Sequence, residues 1–80
     1  MKQIKITDEN EIKDIPVNHD LLLILDFRYI TSKSIAWIHT KNSEIEDKDK
    51  TLELEIRSED VYEILELVWI TTIIKSKMVL

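Results

Sequence analysis

The polar and apolar positions first fall into a two-residue rhythm at Lys2–Ile6, KQIKI, which predicts a short strand at a sheet edge. Residues 7–15, TDENEIKDI, begin with a capping residue and acidic side chains and predict a short helix that Pro16 stops. The run LLLIL at Leu21–Leu25 has no polar break and predicts a strand buried on both faces of a parallel sheet. A hydroxyl-rich corner follows at 31–34, then apolar positions at Ile35, Ile38 and Ile45, with His39 and Asn42 on the same stripe, at helical spacing. Residues 42–50, NSEIEDKDK, read as a solvated connection. TLELEI at 51–56 alternates strictly, which predicts a strand with one wet face near a sheet edge.

Ser58 stands at a helix-cap position with Glu59 and Asp60 in the first turn. Val61, Ile64, Leu65 and Val68 then supply an apolar helical face, and the helix is expected to end near Trp69. The segment 73–80, IIKSKMVL, reads equally as a strand, a helical tail or a packing arm. Strands alternating with helices predict an α/β layer fold with a mixed or mostly parallel sheet, in one domain spanning 1–80. No internal repeat is evident.

Composition narrows the chemistry. With no glycine, the chain cannot build a glycine-rich phosphate loop, and any positive-φ turn must use Asn or Asp, with Asn10, Asn18 and Asn42 as candidates. With no cysteine, thiolate metal sites are excluded. A net charge of -5 with scattered basic residues argues against nucleic acid as a partner. The amino terminus is polar where a secretory leader needs an apolar core, and the longest nearly uncharged stretch is too short to span a bilayer. A cytoplasmic chain without membrane insertion is expected. His19 and His39 lack companions at metal-ligand spacing, and no cofactor or metal is expected. No nucleophile–base pair or paired carboxylates can be defended, so an enzyme is not expected. Trp69 and Tyr62 read as core or core-edge. Glu59, Asp60, Glu63 and Glu66 make an acidic face that is either solvated or receives a basic partner.

LLLILDFRYITSKSIAWI, followed by TLELEIRSEDVYEILELVWITTIIK, resembles the STAS domain of anti-sigma-factor antagonists. The family runs buried strand, Asp-Ser-Ser/Thr-Gly corner, helix, charged connection, strand and last helix. The resemblance covers roughly 20–75, with an abbreviated start. The corner positions fall on Thr31, Ser32, Lys33 and Ser34, and a glycine of the last helix falls on Trp69. The resemblance implies a small STAS-like layer fold and a non-catalytic, regulatory protein-interaction module, docking through the corner and helix at 31–41. It implies Ser32 as the phosphoacceptor, since a phosphate at a helix N-terminus meets free amides and the positive dipole end. Ser32 as a plain helix cap is the bland alternative.

The implied docking residues are Thr31, Lys33, Ser34, Trp37 and Lys41. Trp37 lies off the apolar stripe, either exposed as an interface anchor or folded over the helix edge. The implied partner is an anti-sigma factor or kinase-like protein. Alternative roles are a STAS-type subunit docking on the ATPase of a lipid-trafficking transporter, and a homodimeric or larger assembly protein stabilised by its own contacts.

Overall fold

The computed structural model describes residues 1–58, 60, 61 and 64–79, and for 60, 61 and 64–66 it describes the backbone. The elements in chain order are β1 (Lys2–Ile6), a 3-10 helix (Glu9–Asp14), β2 (Leu21–Leu25), β3 (Tyr29–Ile30), α1 (Ser32–Glu46), β4 (Leu52–Ile56), β5 (Asp60–Val61), α2 (Ile64–Ile73) and β6 (Lys75–Met78). The chain is an α/β fold whose described strand pairs are all parallel.

The main sheet runs β1-β2-β4-β6, so strand order never reverses. A right-handed crossover repeated in one direction always lands on the same side of the sheet. Burial agrees with that geometry. Leu21, Leu23 and Leu25 of β2 and Leu52, Leu54 and Ile56 of β4 are buried, and they join Ile12, Ile35, Ile38, Ile45, Leu67 and Ile70 of the helices in one core. The alternate residues, Leu22 and Ile24 on β2 and Glu53 and Glu55 on β4, are only half-buried. The helices therefore form one layer, and among the described residues nothing covers the opposite sheet face.

This winding corrects two expectations. LLLIL is buried on one face, not two. β4 is an interior strand between β2 and β6, not near an edge. Its alternation reflects the bare face of the sheet rather than a position at the rim. The segment after α2 resolves into strand β6, and β1 is an edge strand as its alternation suggested.

The two central units are in phase. Leu21 pairs with Leu52, and Tyr29 pairs with Asp60, so one offset of 31 residues runs through both ladders. The sequence shows no repeat because only the apolar positions correspond: Leu21, Leu23, Leu25 and Ile30 against Leu52, Leu54, Ile56 and Val61. Ser58 falls within the second unit's strand-to-strand link. It is buried, and its Oγ donates to the Leu25 carbonyl at 3.4 Å, so it does not cap a helix there. Asp60 and Val61 belong to β5, not to a first helical turn.

α1 runs through Glu46, so much of the expected connection at 42–50 is helix. It closes with Asp49 N–H donating to the Glu46 carbonyl and Lys50 N–H to the Ile45 carbonyl, with Asp49 at φ 57°. That is the left-handed position glycine usually fills. Asp takes it in a chain without glycine, whereas Asn10, Asn18 and Asn42 have no positive φ. α2 continues past Trp69 to Ile73 and buries Leu67 and Ile70, with Ile74 just beyond its end; Val68 is exposed. Tyr62 and the side chains of Glu59, Asp60, Glu63 and Glu66 lie outside the described residues and side chains. No described helix is long and apolar enough to cross a membrane.

Candidate functional site

The corner between β3 and α1 is organised by a residue far away in sequence. Thr31, in extended conformation, is the N-cap, and its Oγ1 accepts from the Ser34 N–H at 3.3 Å. Its hydroxyl donates to Glu9 Oε2 at 2.8 Å, and the Ser34 hydroxyl donates to the same oxygen at 2.6 Å. Ser34 is fully buried. The 3-10 helix thus sets a carboxylate against the first turn of α1, where the helix dipole favours negative charge. The cap is Thr31 and not Ser32. Ser32 is the first helical residue and is exposed, as is Lys33.

Trp37 is half-buried and packs on the core. Its ring lies under two ammonium groups, Lys33 Nζ at 4.7 Å and Lys13 Nζ at 5.8 Å from the centroid. Lys41 is half-buried, with its Nζ 3.5 Å from Glu44. Of the expected docking residues, the structure leaves Lys33 most open. Thr31 and Ser34 are committed to Glu9, and Trp37 is half-buried beneath Lys33 and Lys13.

A different aromatic stands beside Ser32. Trp69 on α2 is 46% exposed. With Ser32, Ile35, Ala36, His39 and Thr40 of α1 it lines a groove of about 440 Å³ between the helices. The His39 ring lies 4.8 Å from the Trp69 ring at a 50° tilt, and His39 Nδ1 is buried without a hydrogen-bond partner. Val68 and Ile73 continue the exposed apolar surface along α2.

The carboxyl ends of the strands carry a second hollow of about 380 Å³, lined by Asp26, Phe27, Arg28 and Arg57. Ligands of open α/β sheets sit in a crevice where strand order reverses, and this order does not reverse. Its charged groups are also engaged. Asp26 pairs with Lys5 at 3.2 Å, Arg57 with Glu55 at 2.6 Å, and the Arg28 guanidinium lies 4.9 Å over Tyr29. Among the described residues, no three His, Asp or Glu side chains converge as a metal site.

Glu9 and Trp69 are the two site residues that sequence reasoning missed. Glu9 meets partners 22 and 25 residues away, and no local pattern marks it. Spacing puts Val68 on the inward face of α2 and Trp69 in or at the edge of the core, but the structure exposes both and buries Leu67 and Ile70, because apolar residues lie on every side of the helix and packing, not period, chooses its face. Comparison with protein-family models, curated protein sequences and solved structures finds no match to this chain.

Proposed function

We propose that this chain is a non-catalytic, cytoplasmic interaction module of a regulatory circuit, akin to the anti-sigma-factor antagonists it resembles. It docks a kinase-like or anti-sigma partner on the helix layer beside the 31–41 corner and is switched at Ser32. One observation carries the reading: the single uncommitted corner hydroxyl, Ser32, opens onto the groove that holds exposed Trp69. A large exposed aromatic beside small side chains is the composition of an interface anchor and its pocket. A phosphate on Ser32 would sit at the α1 N-terminus, near its unpaired amides and the exposed Lys33, and would place about two negative charges at the mouth of the groove. Apart from the two-residue strands β3 and β5, the order β2, corner, α1, β4, α2 is that of the family pattern, which supports the reading.

The test is purification of the tagged chain from its native cells, with mass spectrometry of partners and of the 31–41 peptide. The expected result is a kinase-like or sigma-regulator partner with phosphate on Ser32, retention lost in Trp69→Ala and weakened in Ser32→Glu. Equal retention by both variants with Ser32 bare would refute the proposal, and recovery of a transporter ATPase would assign the chain to that machinery instead.

A further inference from the structure

The bare face of the sheet is the other unexplained surface. All-parallel sheets are normally covered on both sides, because their crossovers place helices there. Here every described helix packs on the side of Leu21, Leu23 and Leu25. Side chains alternate along each strand, so the register prints the bare face as columns. β1 presents Gln3 and Lys5. β2, next to it, presents Leu22 and Ile24. Glu53 and Glu55 follow on β4 and Lys75 and Lys77 on β6, giving the sequence basic, apolar, acidic, basic across the face. A surface of one charge fits this poorly: an anionic one meets the acidic column in the middle, and a cationic one meets lysines on both sides.

We propose that this face pairs with the same face of a second copy. Stacking the apolar column on itself is possible about two kinds of two-fold axis. An axis across the strands lays each column on itself, Lys5 and Gln3 over their own copies and glutamates over glutamates. An axis parallel to β2 lays β1 of one copy over β4 of the other. Lys5, level with Ile24 and Glu55 in the register, then faces the partner's acidic column, and symmetry makes the contact twice. Of the two arrangements that stack the apolar column on itself, this one alone opposes unlike charges. Aligned sheets pack about 10 Å apart at about 30°. The existing pairs, Lys5–Asp26 at 3.2 Å, Lys75–Glu53 at 3.5 Å and Arg57–Glu55 at 2.6 Å, are partly exposed, so Lys5 and Glu55 can turn to the partner at little cost.

Size sets the strength. Three overlapping strands about 4.8 Å apart, five residues long at about 3.3 Å each, cover on the order of 250 Å². A standard stable interface buries about 800 Å² per partner. The dimer is therefore weak and concentration-dependent, and it leaves the helix layer and its groove free for a different partner.

Sedimentation equilibrium at protein concentrations up to about 1 mM is the test. Wild type should show a monomer–dimer equilibrium. Lys5→Glu should raise its dissociation constant about tenfold, and adding Glu55→Lys should bring it back to within about threefold of wild type. Circular dichroism checks that each variant is folded, and both substitutions lie on exposed or half-exposed positions of the bare face. A monomer throughout the range would overturn the proposal. So would a dimer indifferent to Lys5→Glu but lost in Trp69→Ala, which would place self-association on the helix layer.

Discussion

Glu9 shows how much one carboxylate oxygen can organise. It receives hydroxyls from Thr31 and Ser34 and so binds the 3-10 helix to the first turn of α1. Bonds to an ionised acceptor are roughly twice as strong as neutral ones, and the Ser34 hydroxyl has no water to fall back on. Its remaining side-chain contact is Thr31 Oγ1 at 3.3 Å. Glu9→Ala is expected to cost about 1–3 kcal/mol, seen as a lower urea midpoint with unchanged slope. Glu9→Gln, which keeps an acceptor oxygen, should cost less. A midpoint that does not move in Glu9→Ala would mean the corner holds itself together without the carboxylate. The hydroxyl cluster itself was legible as a corner in the sequence. The division of labour within it, with Thr31 capping, Ser34 buried and Ser32 free, follows from the position of Glu9.

At the scale of elements, α2 is the instructive case. Leu67, Val68, Trp69, Ile70, Ile73 and Ile74 offer apolar side chains in every direction, so helical periodicity cannot choose a face. Packing on the sheet chooses Leu67, Ile70 and Ile74 and leaves Val68, Trp69 and Ile73 outside. Neighbours in sequence should then respond very differently. Ile70→Ala removes a side chain with no exposed surface and is expected to cost about 2–5 kcal/mol. Trp69→Ala should cost about 1 kcal/mol, since the ring is 46% exposed and leaves no closed cavity. Thermal or urea unfolding of the two variants checks the contrast, and equal losses would mean that Trp69 is part of the core. For β4 the pattern was right and its explanation wrong. Alternation reports one wet face, and a strand in the middle of a half-covered sheet has one just as an edge strand does.

For the molecule as a whole, the acid limb of stability tests how the sheet begins. Asp20 precedes β2 and accepts the Thr51 backbone N–H at 2.9 Å and the Thr51 hydroxyl at 3.2 Å, joining the starts of β2 and β4. The backbone hydrogen bond from Thr51 is the main cause holding its carboxyl below the usual aspartate value; desolvation opposes it, and the Thr51 hydroxyl and the charge on Lys50 assist. A carboxylate with a depressed folded pKa adds stability that is complete above the unfolded value. That stability fades as pH falls below the unfolded value and through the folded one. Asp20→Asn should therefore be less stable than wild type at neutral pH, with the gap closing as the solution is acidified. Urea unfolding across the acid range measures it, and a gap that stays constant would show that Asp20 titrates no differently folded and unfolded.

The sequence by itself determined the kinds of element and their alternation: a strand at Lys2–Ile6, a short helix ended by Pro16, the strands at LLLIL and TLELEI, and a helix after the hydroxyl corner. Hydrophobic period and helix-stopping chemistry are set by neighbours within about one helical turn, and such neighbours are visible in a string of residues. Tertiary structure alone decided the one-directional winding of the sheet, the common 31-residue register of its central units, the identity of the cap and the exposure of Trp69. Each depends on residues brought together from distant parts of the chain. Glu9 reaches a helix more than twenty residues away, and α2 takes its phase from the sheet beneath it. Strand order plus a right-handed crossover places all helices on one side, and strand order is a property of the assembled sheet that no local pattern encodes.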